Sequence, residues 1–220
     1  NEKSHDTFIN VSVKLFDNFE KMLFRSIPLE NVRPLKESQF VPRGQTALLD
    51  AIGNTLKYFM EKKLQNPSAY DYCTIYIVTD GLENASTKYN KDRIKKLIHS
   101  AESKYNIKVI YLGANQDAIL EANNIGIDST QAINYSETPD TTQVAYRSAA
   151  AMVKRHRSGE PVEFLQAERS ASNANEHTPP TNYTNVTTFN PSTPPFNIPQ
   201  VNLPPPVVRQ TTSKRFNSEN

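Results

Sequence analysis

Residues Tyr72 to Gly81 read YCTIYIVTDG. The run from Tyr72 to Thr79 is apolar and β-branched, with no polar residue at every second place. An exposed or one-sided strand alternates, whereas a parallel strand covered on both faces does not. The run is therefore expected to be a central strand of a parallel sheet, ending at the carboxylate of Asp80 and the turn residue Gly81.

The neighbouring segments fit that expectation. FINVSVKLF alternates, placing Ile9, Val11, Val13 and Leu15 on one face, and KMLFRSIPL holds a second strand that ends by Pro28. From Thr46 to Leu64, the residues Leu48, Leu49, Ile52, Leu56, Phe59, Met60 and Leu64 recur at helical spacing behind a Gly-Gln-Thr turn. After Gly81 the chain passes a polar loop to KDRIKKLIHSAESKY, with Ile94, Leu97, Ile98 and Ala101 on one helix face. Lys91, Lys95 and Lys96 lie on the other, as a solvated face. IKVIYLGA follows as a buried strand, DAILEANNIG as a short helix closed by Gly126, and QAINYS as a last strand.

The final helix, 139 to 157, has clear ends: Thr138 as cap, Pro139 at the first helical position, Asp140 at the positive end of the dipole, and cations before Gly159. Strands alternating with helices give an open, doubly wound, mostly parallel α/β sheet, Rossmann-like in plan.

Composition changes after Gly159. Residues 160 to 220 carry ten of the 15 prolines among many Asn, Thr and Ser. Few aliphatic residues are left there to offset the entropy of ordering, so a disordered tail is expected. Its PSTPP and LPPPVV pieces suit a polyproline groove but carry no basic-flanked recognition signature.

The whole chain of 220 residues has 37% hydrophobic residues and a formal net charge of +2. No global charge argues for nucleic acid, a membrane surface or an acidic substrate. No apolar run reaches the length of a membrane span. The single cysteine, Cys73, lies inside the apolar run, as a small hydrophobe and not a staple, which favours a reducing, cytoplasmic setting.

In open parallel sheets, ligands gather beyond the carboxyl ends of the strands. Asp80 lies there, and the loop carrying Thr46 can reach the same edge. A hydroxyl and a carboxylate suit a hard cation such as Mg2+. Each also has a plain alternative, Thr46 as a helix cap and Asp80 as a turn residue.

Taken together, RGQTALLDAIG (Arg43 to Gly53) and YIVTDGLENAS (Tyr76 to Ser86) resemble the second and third parts of the metal-ion-dependent adhesion site of von Willebrand factor type A domains. The order of elements from about Asp6 to Gly159 is similar as well. The resemblance implies Mg2+ or Mn2+ held by Thr46 and Asp80, no catalysis, and a protein partner whose acidic group completes the metal's octahedron. It also implies a first motif, Asp-x-Ser-x-Ser, which this chain lacks: Asp6, Asp17 and Asp128 are followed by TFIN, NFEK and STQA.

In such domains the strand bearing that motif lies mid-sheet, between the strands matched by VSVKLF and YCTIYIVT. Its absence would leave two apolar edges unpaired. With Asn in place of Met at position 1, residues 1–159 are expected to be such a domain truncated at its N-terminus.

Two other readings stay open. One is an α/β enzyme using Asp80 with Mg2+ for phosphoryl chemistry, although no phosphate-cradling glycine loop and no G-x-S-x-G elbow occurs. The other is a scaffold of the same fold that has lost its metal. His5, His99, His156 and His177 are scattered without metal-ligand spacing.

Overall fold

The computed structural model describes residues 8–41, 44–114 and 117–173. The polyproline pieces of the tail, His5, His177 and Arg43 fall outside them.

Strand β3 (Cys73–Thr79) lies parallel to β4 (Ile107–Ala114), which lies parallel to β5 (Ala132–Tyr135), giving a three-stranded sheet in chain order. The pairing runs without slip from Cys73 opposite Ile107 to Thr79 opposite Gly113, and on from Tyr111 opposite Ala132. This is the α/β arrangement expected of the uninterrupted apolar runs, with one correction: β4 is the central strand, whereas β3 lies at an edge of the described sheet and its Tyr76 is exposed.

Helices cover both faces. Ile107, Val109 and Tyr111 of β4 pack with α1 (Leu48–Gln65), α2 (Lys91–Tyr105) and α3 (Ala118–Asn124), through Leu49, Ile52, Leu56, Ile94, Ile98 and Ala122. The alternate residues Ile110, Leu112 and Ala114 pack instead against Ala145, Ala149 and Met152 of α4 (Pro139–Ser158). Successive side chains of one strand thus enter two separate cores, which is why β4 has no polar alternation.

Helix ends follow the local chemistry. Asn90 caps α2 by accepting from Arg93 N at 2.9 Å. Thr138 caps α4 by accepting from Thr141 N at 3.3 Å, and Gly159 ends that helix at φ 72°. Of the lysines on α2, Lys91 reaches Glu121 at 3.9 Å, and the stem of Lys95 lies against Gly126, whose φ of +87° favours glycine.

Strands β1 (Asn10–Phe16) and β2 (Glu20–Pro28) form a separate antiparallel hairpin, and among the described residues neither pairs with β3. The register shifts between Val11 and Val13 and between Val13 and Lys14, and each time the extra residue lies in β2, so the alternation of β1 is not interrupted. Val11, Val13 and Leu15 are partly buried, and it is Phe16 that packs against the core around α1.

The boundary placed at Gly159 moves. Beyond it the chain stays folded to Asn173, with Phe164 buried in the α4 core and a fifth helix, α5 (Gln166–Ser172). This segment lies along the outer edge of β5. Phe164 N donates to Thr130 O, Ser136 N to Ser172 O, and Ser172 Oγ to Asn134 O at 2.7 Å. The Arg169 guanidinium donates to the carbonyls of Ala132, Ser129 and Thr130 at 2.6, 2.8 and 3.0 Å. Composition missed the segment because it fastens itself by backbone and guanidinium hydrogen bonds, with few apolar residues.

Arg169→Ala leaves those carbonyls without their charged donor. The expected loss is about 2 kcal/mol, in the range of hydrogen bonds to charged groups, measured as a lower urea midpoint at unchanged m-value. Arg169→Lys restores only part of it, since an ammonium cannot span the fork.

Candidate functional site

The carboxyl end of the parallel sheet is assembled around the first turn of α1. Its backbone N–H groups need partners, and Ala47, at the cap position, supplies no side-chain bond. The partners come from the loop after β3. Glu83 Oε2 accepts from Leu49 N at 2.9 Å, and Ser86 Oγ accepts from Asp50 N at 3.0 Å. Asp50 returns the contact, accepting from the backbone N–H of Thr87, Lys88 and Tyr89 at 3.0, 2.9 and 3.0 Å. Glu83 also accepts from the N–H groups of Ala85 and Ser86, which gives the ENAS turn its shape.

Thr46 does not cap the helix. Its N–H donates to Asn84 Oδ1 at 2.8 Å and its carbonyl accepts from Asn84 N at 3.1 Å, so the two loops are joined by a reciprocal pair. Its hydroxyl faces Gly81: a Cβ built on that glycine would lie 2.7 Å from Thr46 Oγ1. The turn is tightened from the other side, where Thr79 Oγ1 accepts from Gly81 N at 3.1 Å. The structure thus brings the Thr46 loop against the Thr79-Asp80-Gly81 turn across 34 residues of sequence.

Asp80 is exposed beside this contact. Its charge reaches towards β5. The Tyr135 phenol is pushed up to about 12, chiefly by burial and further by the charges around it, Asp80 among them. The β1–β2 turn joins the same edge, since Ala47 N donates to Asp17 O at 2.7 Å and Asp17 Oδ1 accepts from Phe19 N.

The oxygens of Thr46 and Asp80 are of the type that a hard cation takes, and the glycine between them leaves the hydroxyl uncovered by any Cβ. Among the described residues no three His, Cys, Asp or Glu side chains gather into a metal-holding group. His99 is exposed and His156 is buried far along α4 from this edge. Burial pushes the Cys73 thiol up to about 12 against the opposing charge of Lys62, so it stays protonated at neutral pH. No helix among the described residues is long and apolar enough to cross a membrane. The chain matches no protein-family model and no curated protein.

The sequence reading named Thr46 and Asp80 but not Asp50, Glu83, Asn84 or Ser86, which hold them. A signal was present in TALLDAIG: an aspartate one position from the apolar face of a helix's first turn, where it is 8% exposed.

Burial alone would raise the Asp50 carboxyl, but the three backbone N–H bonds and the Lys88 charge outweigh it and hold it below 3.8. A carboxylate lowered on folding stabilises above its unfolded value, and that contribution is lost as pH falls through the folded value. Asp50→Asn should lose about 1–3 kcal/mol at pH 7 by chemical denaturation. The gap from wild type should close only below pH 3.8.

Proposed function

We propose that this chain is part of a von Willebrand factor type A-like protein-interaction domain, not an enzyme, in which Thr46 and Asp80 help to hold Mg2+ or Mn2+ and an acidic group of a partner protein binds the metal. The observation that carries this reading is the closure of the Thr46 loop on the Thr79-Asp80-Gly81 turn, with Thr46 Oγ1 2.7 Å from where a Gly81 Cβ would stand. Two matched motifs far apart in sequence meet at one sheet edge, where the resemblance requires them.

The hairpin and the parallel sheet support the finer fold reading. The residue after β1 and the loop after β3 both bond the 44–47 segment: Ala47 N donates to Asp17 O, and Asn84 N donates to Thr46 O. In a doubly wound sheet of this family they flank one further strand, and the Asp-x-Ser-x-Ser motif belongs at its end. Thr46 and Asp80 supply two oxygens of a six-oxygen shell, and the balance falls to that motif, to water and to the partner. A bound cation would supply an incompletely neutralised charge. This chain's own residues would hold the Thr46 loop beside it, through Asn84 and the close approach to Gly81.

The test is a titration with Mn2+, by calorimetry and water-proton relaxation, of the protein carrying the Asp-x-Ser-x-Ser motif that the resemblance implies, since Thr46 and Asp80 alone do not complete the shell, followed by a peptide bearing a glutamate. Wild type should bind Mn2+ and lose relaxivity when the peptide displaces metal-bound water. Asp80→Ala and Thr46→Ala should weaken Mn2+ binding at least tenfold while far-UV circular dichroism stays unchanged. Equal binding by Asp80→Ala would remove Asp80 from the site. Metal-dependent hydrolysis of a phosphate ester that disappears in the same variant would favour the enzyme reading instead.

A further inference from the structure

One titratable group far from the candidate site has a distinctive setting. His156 lies in the last turn of α4 and is 6% exposed. Its Nδ1 is 3.2 Å from Thr74 Oγ1 of β3, and its ring meets the edge of Tyr72 at 5.0 Å between centroids. Thr74 Oγ1 is its side-chain hydrogen-bond partner among the described residues.

The same turn of α4 holds the segment that follows it. Arg155 donates to Glu163 O at 2.8 Å and pairs with the Glu168 carboxylate at 2.8 Å. Glu163 precedes Phe164, and Glu168 belongs to α5, the helix that lines the outer edge of β5.

We propose that His156 is a proton-operated latch: neutral, it fastens the last turn of α4 to the start of β3; protonated, it loosens that turn and the α5 segment tethered to it. The groups facing it give the sign. From β4 comes the Lys108 ammonium, itself paired with Glu102 of α2 at 3.4 Å. From the chain entering β3 come the Tyr72 ring and the Thr74 hydroxyl, and on α4 itself Arg155 and Arg157 flank it. No carboxylate in this set is free to meet an imidazolium, since Glu102 and Glu168 are engaged. The carbonyl end of α4 favours a cation there. Burial, and then Lys108, oppose it more strongly and hold the imidazole below 6.5.

A histidine lowered on folding is kept neutral by the fold. Its full stabilisation is present above its unfolded value and diminishes as pH falls below 6.5 towards the folded value. Because α5 covers the β5 edge, loosening it on acidification uncovers backbone donors and acceptors that pair readily with another strand.

The experiment uses the whole chain and combines a histidine NMR titration with amide hydrogen exchange, corrected for the pH dependence of intrinsic exchange, from pH 7.5 to 5. His156 should titrate below 6.5, and protection of residues 152–172 should fall several-fold over the interval in which His156 protonates. His156→Gln, which keeps a neutral polar side chain, should show no such fall. Titration of His156 at or above 6.5, or a protection loss in the wild type that does not track its protonation, would overturn the latch. So would an equal loss in the glutamine variant. The first two results need the wild type alone, so the test survives a variant that fails to fold.

Discussion

The candidate site rests on an exchange of hydrogen bonds between two chain segments that cannot satisfy themselves. The first turn of α1 presents backbone donors without a side-chain cap of its own. The loop after β3 presents donors that no strand partner takes. Glu83 and Ser86 serve the helix, and Asp50 of the helix serves the loop. Burying either set unpaired would cost about 1–3 kcal/mol per group. The exchange fixes where α1 begins, how the loop leaves β3, and thereby how Thr46 meets Gly81. Asp80 stays exposed, and Asp50 and Glu83 nearby make the structural hydrogen bonds.

Much of this was legible in the residues. IKVIYLGA lacks alternation because it sends successive side chains into two cores, and YCTIYIVT, which is less covered, pairs with it in parallel register. Thr138, Pro139 and Gly159 mark the ends of α4 through local backbone chemistry, and the structure puts them at those ends. That the loop carrying Thr46 reaches the edge where Asp80 ends β3 was legible from the sheet's plan, and the structure brings Thr46 against Gly81 there.

What escaped is what depends on contacts distant in sequence. Phe16 meets the core from the end of β1, on the face opposite to Val11, Val13 and Leu15, and a period-two count does not tell which face meets a distant helix. Asp50 resembled an ordinary first-turn acid favoured by the helix dipole, while its three acceptor bonds reach residues 37 to 39 positions away. Segment 160–173 has the composition of a tail, and a composition count does not register a guanidinium that spans three carbonyls.

That guanidinium bears on where the domain stops. A boundary drawn by residue content cuts the chain after Gly159 and strips β5 of Arg169, Ser172 and the Phe164 amide together. A boundary drawn by hydrogen-bond closure keeps the chain through Asn173. The C-terminal limit of the described fold is therefore set by the carbonyls of β5 that Arg169 and Ser172 supply with donors.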